Sequence, residues 1–328
     1  MMAQDGLLAA FTLDGTGRLL AVPPDQALQK AVAPGECLWL HWDKDHPATR
    51  NWLEQKSGLP EFECELLLAR GTRPRLVEQH EQHLLLFSRT PARTTPSGAE
   101  NELYSLRVLL DDHRLLTFAH AEVWTADMLE KLPWMPGPVR GLPALLIMLL
   151  RDGVQQIDDM VEGFAELVDA GEEALVQDPR SHTDQQQMMQ LRRDTANLRR
   201  YLLPMRDLFA ALQHVRLEGA GRGSKARLAE LSNSLVRCLE ELDLCRERLN
   251  LILETERQRR EERSGRIIYL LTLVTAFFLP LSFITGLLGI NLGGIPGGAH
   301  PFGFWLACLA LVMLGLVELL LLRLLRWL

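Results

Sequence analysis

The chain has 328 residues, enough for a cytosolic-sized domain and a small membrane part, and its formal net charge is −7. A mildly acidic balance gives no support to nucleic-acid binding, which calls for a basic surface. The five cysteines, Cys37, Cys64, Cys238, Cys245 and Cys308, are odd in number and form no close pair, so thiols kept reduced are expected rather than a disulfide framework. Charged residues are 23% of the whole, but this ordinary figure hides a division: residues 1–266 are charge-rich and the remainder is almost pure hydrocarbon. No basic stretch followed by an apolar run opens the chain, so no secretory signal is expected.

Residues 1–140 read as an α/β cytosolic domain. Strand-like runs occupy Leu7–Leu13, Leu19–Val22, Cys37–Trp42 and Leu84–Ser88, and Tyr104–Leu110 with Leu115–Ala119 flank Asp111-Asp112-His113 as a hairpin. Ala48–Lys56 and Cys64–Ala69 have helical patterns, and Pro91–Gly98 and Pro133–Pro138 read as breaks. The cluster from Glu78 to His83 invites a zinc reading, yet on a strand His80 and His83 point to opposite faces, so an exposed hairpin is expected.

Residues 141–223 read as a helical hairpin. Its first helix, Leu142 to about Gln177, is strongly acidic; Asp158, Asp159 and Glu162 are candidate metal ligands there, against the plainer reading of a solvated face. Pro179–Ser181 makes a turn, a second helix runs from about Gln185 to Gln213 with Pro204 as a kink, and Gly219–Gly223 turns again.

Residues 224–266 form a stalk helix. Leu228, Leu231, Leu235, Cys238, Leu242, Cys245, Leu249 and Ile252 repeat with 3-4 spacing, a coiled-coil-like seam. Cys238 and Cys245 lie about 10.5 Å apart along such a helix, too far to share one ion, so they are expected in the core. Only Gly265 interrupts the pattern before the apolar run, so one helix from about Lys225 to Leu288 is expected, on the order of 95 Å long. Such a seam can close an intramolecular helical hairpin. The expectation here is association between subunits, because a helix this long outreaches the core of one domain.

Residues 267–290 carry no charge and would span roughly 36 Å, enough for a first transmembrane helix. A connection, 291–301, leads to a second, 302–322, interrupted only by Glu318, and then to a tail, 323–328. Arg257, Arg259, Arg260, Arg263 and Arg266 precede the first span and Arg323 and Arg326 follow the second, whereas the connection has no Lys or Arg. The positive-inside rule then places both termini in the cytosol and the connection outside. Glu318 is an intramembrane acid and so a candidate for proton coupling, although Arg323 is close by. His300, in the connection, is a candidate ligand for a transition metal.

Helix-breaking residues crowd Thr285–Gly297, where Gly289-Ile290-Asn291 closes the first span. Irregular backbone at that depth survives where it is buried in protein or lines water, and the Asn291 amide with neighbouring carbonyls offers uncharged dipoles to a hydrated divalent cation. This arrangement resembles the CorA-type cation transporters, and within them the ZntB branch. The magnesium proteins of that family usually have Gly-Met-Asn; here Ile290 stands in the middle. Gly293-Gly294-Ile295-Pro296-Gly297 is similar to the ZntB loop and lacks the acidic residue of the magnesium branch. Leu198–Asp207 is similar to a family stretch on the helix before the stalk.

The resemblance implies a CorA-like homopentameric funnel in the inner (plasma) membrane, with five long helices around a central pore, contacting membrane lipid and self, and no nucleic acid. Gly289, Ile290 and Asn291 would form the outer mouth. Thr275, Leu279, Ser282 and Gly286 share one helix face, which Leu271 and Ile268 extend inward; that face is expected to line the pore. The competing reading has the hydroxyls bonding backbone carbonyls in a lipid-packed helix. The cargo is expected to be zinc, with magnesium, cobalt, nickel or cadmium as alternatives, and no resident cofactor. A membrane-anchored sensor without flux is the reading from another class. No phosphate loop, nucleophile elbow or zinc-hydrolase motif speaks for an enzyme.

Overall fold

The computed structural model describes residues 6–28, 35–71, 73–79, 83–91, 102–121, 123, 139, 141–177, 185–215, 217, 223–290 and 301–325. The chain divides into two compact units, Met1–Ile252 and Leu253–Leu328.

The first unit is built on strands β1 (Leu7–Leu13), β2 (Leu19–Ala21), β3 (Cys37–Asp43), β4 (Arg75–Gln79), β5 (His83–Pro91), β6 (Leu103–Leu110) and β7 (Arg114–Ala119). They form one sheet in the order β2-β1-β3-β7-β6-β5-β4. Among the described strands only β3 and β7 are parallel neighbours. Near-continuous apolar runs such as Leu84–Phe87 and Leu115–Ala119 are buried on both faces of this sheet. Short helices α1 (Pro24–Ala27), α2 (Pro47–Gln55) and α3 (Glu61–Leu68) cover one face, where Leu40, Trp42, Leu53, Leu67, Leu85, Phe87, Leu109 and Phe118 make a continuous core. The other face meets α4 (Leu142–Gln177) and α5 (Gln185–Leu212). A Cβ on Gly153 would lie 3.1 Å from Thr90 Oγ1, which shows how closely α4 approaches β5. On this face the Trp39 indole donates to Thr117 Oγ1 at 2.9 Å, and His41 Nδ1 lies 2.9 Å from the same hydroxyl. Burial pushes the His41 pKa down to about 3, so its ring is neutral inside the protein.

The expected strands and helices appear within one to a few residues of their boundaries. Helix α1, a single turn, was not expected. The hairpin expected around Glu78–His83 is present as β4 and β5, paired antiparallel with Gln79 opposite His83. Pro204 sits inside an unbroken α5. His83 meets Glu63 of α3 at 2.9 Å, so its ring is engaged within the sheet layer, while His80 lies outside the described residues.

Helix α6 (Ser224–Leu288) is 65 residues long, and α7 (Gly303–Leu324) follows it. The 3-4 seam of α6 is a correction to the sequence reading. Every member from Leu228 to Ile252 is at most 5% exposed within the single chain. Gly171 of α4 brings Met188 and Ile252 together, a Cβ there meeting Met188 Sδ at 3.1 Å and Ile252 Cδ1 at 3.4 Å. The seam is therefore filled by helices of its own chain and does not serve association between subunits. Its spacing specifies only an apolar stripe, which buries equally well against either kind of neighbour.

Polar ties fix the register of α6 on this bundle. Arg199 Nε donates to Asp243 Oδ1 at 2.8 Å, and Arg248 donates to Glu172 at 2.8 and 2.6 Å and to Asp169 at 2.5 Å. Hydrogen bonds from Arg248 hold the Glu172 carboxyl below its ordinary pKa. A lowered carboxylate pKa contributes stability above the unfolded-state value, lost as pH falls through the folded one. Arg248→Gln should therefore lower stability at pH 7 by roughly 1 kcal/mol, given the partial exposure of all three groups. The gap to wild type should close below about pH 4 in thermal unfolding of the detergent-solubilised protein. A gap independent of pH would mean that Arg248 acts by packing alone.

Candidate functional site: the membrane helices

In the second unit the apolar stretches of α6 and α7 are both long enough to cross a bilayer. Their most apolar windows are 0% and 6% buried, unlike core helices of a soluble protein. One stripe of each helix is covered. On α6 it consists of Leu273, Phe277, Pro280, Leu281 and Ile284, and on α7 of Ala307, Cys308, Leu311, Leu314, Gly315, Glu318 and Leu322. These 3-4 spaced stripes pack on each other, with Gly315 fully buried and its Cα hydrogen side facing the Phe277 ring.

At about 100° per residue, Ile268, Leu271, Thr275, Leu279, Ser282 and Gly286 lie roughly 120–180° around α6 from Phe277. The expected pore face is thus the one α7 leaves uncovered, and Ile268, Leu271 and Leu279 are 64–66% exposed. Ser282 also borders an open apolar groove of about 580 Å³ between the helices, so it sits at one edge of that face. Thr272, omitted from the expected face, belongs to the same uncovered half. Its signal in the sequence was its place one turn before Thr275.

The hydroxyls have definite partners. Thr272 Oγ1 donates to Ile268 O at 2.9 Å and Thr275 Oγ1 to Leu271 O at 2.8 Å. The backbone bonding posed as an alternative to pore lining is therefore present, yet the two are compatible. A threonine that spends its proton on the helix keeps its oxygen lone pairs as acceptors, and a cation's water shell presents protons outward. Backbone-bonded threonines suit a hydrated cation better than free donors would.

Helix α6 ends where the motif begins. Gly289 N donates to Thr285 O at 3.0 Å and to Gly286 O at 3.2 Å, and a Cβ at Gly289 would lie 3.3 Å from Thr285 O. Glycine thus lets the last turn tighten at this point. Ile290 is 43% exposed. Asn291 and His300 lie outside the described residues. Glu318 faces the α6 side of α7, and its Oε2 is buried without a hydrogen-bond partner.

The cytosolic candidates do not converge. Among the described residues no three His, Cys, Asp or Glu side chains are grouped so as to hold a metal ion. Asp158 accepts from Cys238 Sγ at 3.3 Å and Asp159 from Gln155 Nε2 at 3.0 Å, while Glu162 is exposed on the same helix. Burial first, then Asp158, pushes the Cys238 thiol up to about 12, so it stays protonated and is no thiolate ligand.

A family model described as CorA-like Mg2+ transporter protein matches residues 35–324. The chain belongs to the CorA-like transporter family. Membership makes α6 and α7 the family's two C-terminal membrane helices and the chain a transporter rather than an enzyme. A CorA-like relative, "Divalent cation transporter CmaX" of Pseudomonas aeruginosa, is 40% identical over 324 residues, covering 98% of this chain and 97% of that protein. The solved structure of full-length CmaX superposes with a TM-score of 0.85 at 39% identity, covering 99% of both chains. It bears out the α/β domain and the long helix leading into two apolar helices. "Zinc transport protein ZntB" of Yersinia pseudotuberculosis is 31% identical over 313 residues, 94% of this chain and 91% of that one. The family is thus broader than the ZntB branch singled out by the loop.

Packing at Gly315 gives a direct test of the hairpin. A Cβ there meets Phe277 at 3.6 Å, ordinary van der Waals contact. Gly315→Ala should leave thermal stability in detergent near wild type. Gly315→Leu should lower it by about 1–3 kcal/mol through overpacking. Equal tolerance of both would show that the helices do not approach at this point.

Proposed function

We propose that this chain is a subunit of a transporter that carries divalent cations across the inner membrane. Zinc is the first candidate cargo and magnesium the runner-up. The carrying observation is the face of α6 that contains Thr275, Ser282 and Gly286 and lies opposite the stripe covered by α7. In a family of cation transporters, an uncovered membrane face with hydroxyl acceptors belongs on a water-filled path. Leu279, Leu271 and Ile268 would then be apolar constrictions that gate by dewetting.

The assembly proposed is a homopentamer, with 224–266 as stalk, 267–290 and 302–322 as spans, 291–301 outside and both termini in the cytosol. The arginines flanking the spans support that orientation. Gly289, Ile290 and Asn291 form the outer mouth, where Asn291 bonds the ion's water shell. Similarity to ZntB and the uncharged loop favour zinc. The greater similarity to CmaX, a relative described only as a divalent cation transporter, is why magnesium, cobalt, nickel and cadmium stay as alternatives. The unpartnered Glu318 oxygen between two apolar helices supports a proton-coupling role for that carboxylate.

Flux in proteoliposomes tests this reading. Asn291→Ala should abolish zinc uptake while the oligomer still assembles; unchanged uptake would remove the motif from the mechanism. Zinc flux that ignores a pH gradient, in wild type and Glu318→Gln alike, would remove the coupling role. In a chain lacking Cys308, single cysteines placed at 275, 279 and 282 should react with small aqueous thiol reagents, and one at 277 should not. Protection of the first three with labelling at 277 would sink the pore assignment.

A further inference from the structure

The first unit contains a cavity unrelated to the membrane helices. It lies outside the carboxyl end of β3, the strand with a parallel neighbour, where α/β sheets commonly take ligands. The loop from Lys44 to Pro47 and the start of α2 form one wall, Leu68 to Gly71 after α3 form another, and Arg107 of β6 lines the base. Its volume is about 430 Å³, within the range of small-molecule sites.

Four cationic side chains reach this cavity: Lys44, Arg50, Arg70 and Arg107. The single acid is Asp45, which receives Lys44 Nζ at 2.6 Å on both oxygens. Strand register explains the unusual position of Arg107. It stands in a row with Trp42, Phe118 and Phe87 on the core face, where an apolar residue is the norm. Arg107 is only 6% exposed. One of its terminal nitrogens donates to Leu67 O, and its Nε has no hydrogen-bond partner. A buried guanidinium with an unspent donor is costly unless something answers it. Burial depresses its pKa more than the charge of Asp45 raises it, and Arg89 adds a smaller depression, so Asp45 answers the charge only in part.

The α2 N-terminus faces the same space, but its amides are largely used. Pro47 has none, Ala48 N donates to His46 Nδ1 at 3.2 Å and Thr49 N to His46 O at 3.1 Å. The helix therefore contributes its dipole, and the side chains supply the donors. Thr49 Oγ1 bonds Asp43 O at 2.7 Å, and a Cβ on Gly6 would come within 2.5 Å of that hydroxyl, so this corner is rigidly built.

We propose that this cavity is a binding site for a small phosphate-bearing anion, an oligophosphate or a phosphate ester with at least two phosphoryl groups. Arg50, Arg70 and Arg107 are the fork-shaped donors for it, and Lys44 exchanges Asp45 for phosphate when the site fills. Lys44 pairs with Asp45 and Arg50 meets Glu54 at 3.6 Å, an exposed contact open to exchange, so two anionic groups match the remaining charge of Arg70 and Arg107. Nothing in this assignment depends on the cargo of the membrane helices.

Titration calorimetry on the full-length protein in detergent, in chelator-treated metal-free buffer, tests it with inorganic phosphate, pyrophosphate and adenosine diphosphate as probes. Pyrophosphate should bind the wild type, more tightly than inorganic phosphate. Arg50→Gln and Arg70→Gln, both at the rim, should each weaken it by roughly tenfold or more. Arg192→Gln, an exposed change on α5, should leave it unchanged. Adenosine diphosphate binding tighter than pyrophosphate assigns the site to nucleotides, and equal binding assigns it to the oligophosphate alone. No pyrophosphate binding, or binding equally weak in wild type and both rim variants, overturns the proposal.

Discussion

One helix has to satisfy two solvents. The amino-terminal part of α6 carries a single apolar stripe and ties of Arg248 and Asp243 to neighbouring helices, and the rest of its surface is charged. Its carboxyl-terminal part carries no charge from Ile267 to Leu288 and has a stripe covered by α7. The transition falls at the arginines between 257 and 266, where hydrocarbon gives way to charge. Helical geometry lets one element serve both media because its backbone groups are paired internally, save at Pro280, whatever surrounds it. The stretch up to Ile252 packs within the helical bundle of the first unit, and the apolar stretch pairs with α7 in the second.

This explains what was legible beforehand. A charge-free run of this length reads as a span from composition alone, and the Gly289–Asn291 break reads as its end because helix breakers at membrane depth are rare. The sheet was also accessible, since β3, β6 and β7 are compact apolar runs with a turn between the last two. Strand β4 showed only as one arm of the hairpin expected around Glu78–His83, because five residues with Glu78 and Gln79 show too little alternation to be read alone. The heptad seam misled for a more general reason. Spacing records that a stripe is buried, and the number of chains doing the burying leaves no mark on it. Leu235 and Leu249 are fully buried inside one chain although their pattern equals that of an intermolecular coil.

The two candidate sites differ in the same way. The proposed pore face lies on one helix, so its members could be collected by counting residues around a turn, Thr272 being the one left out. The cationic cavity joins residues 44–50, 70 and 107, which only the pairing of β3, β7 and β6 brings together. No spacing rule relates Arg107 to Lys44. Even in the sheet, Arg107 announces itself only because it occupies a row otherwise filled by Trp42, Phe118 and Phe87.

The uncharged character of the proposed membrane path carries a final consequence. A carboxylate ring would bind a divalent ion strongly and tend to hold it, whereas conduction needs an ion bound well enough to enter and loosely enough to leave. Threonine oxygens whose protons already belong to the Ile268 and Leu271 carbonyls offer a weaker, acceptor-only surface. Such a surface reads the orientation of the water shell rather than the ion inside it. It separates cations from anions, because an anion's waters turn their oxygens outward, and it distinguishes poorly among divalent cations of similar hydration. On this argument the choice between zinc and magnesium cannot rest on the helix face. It must come from the proposed mouth, Ile290 with Asn291, or from the strength with which each ion holds its water.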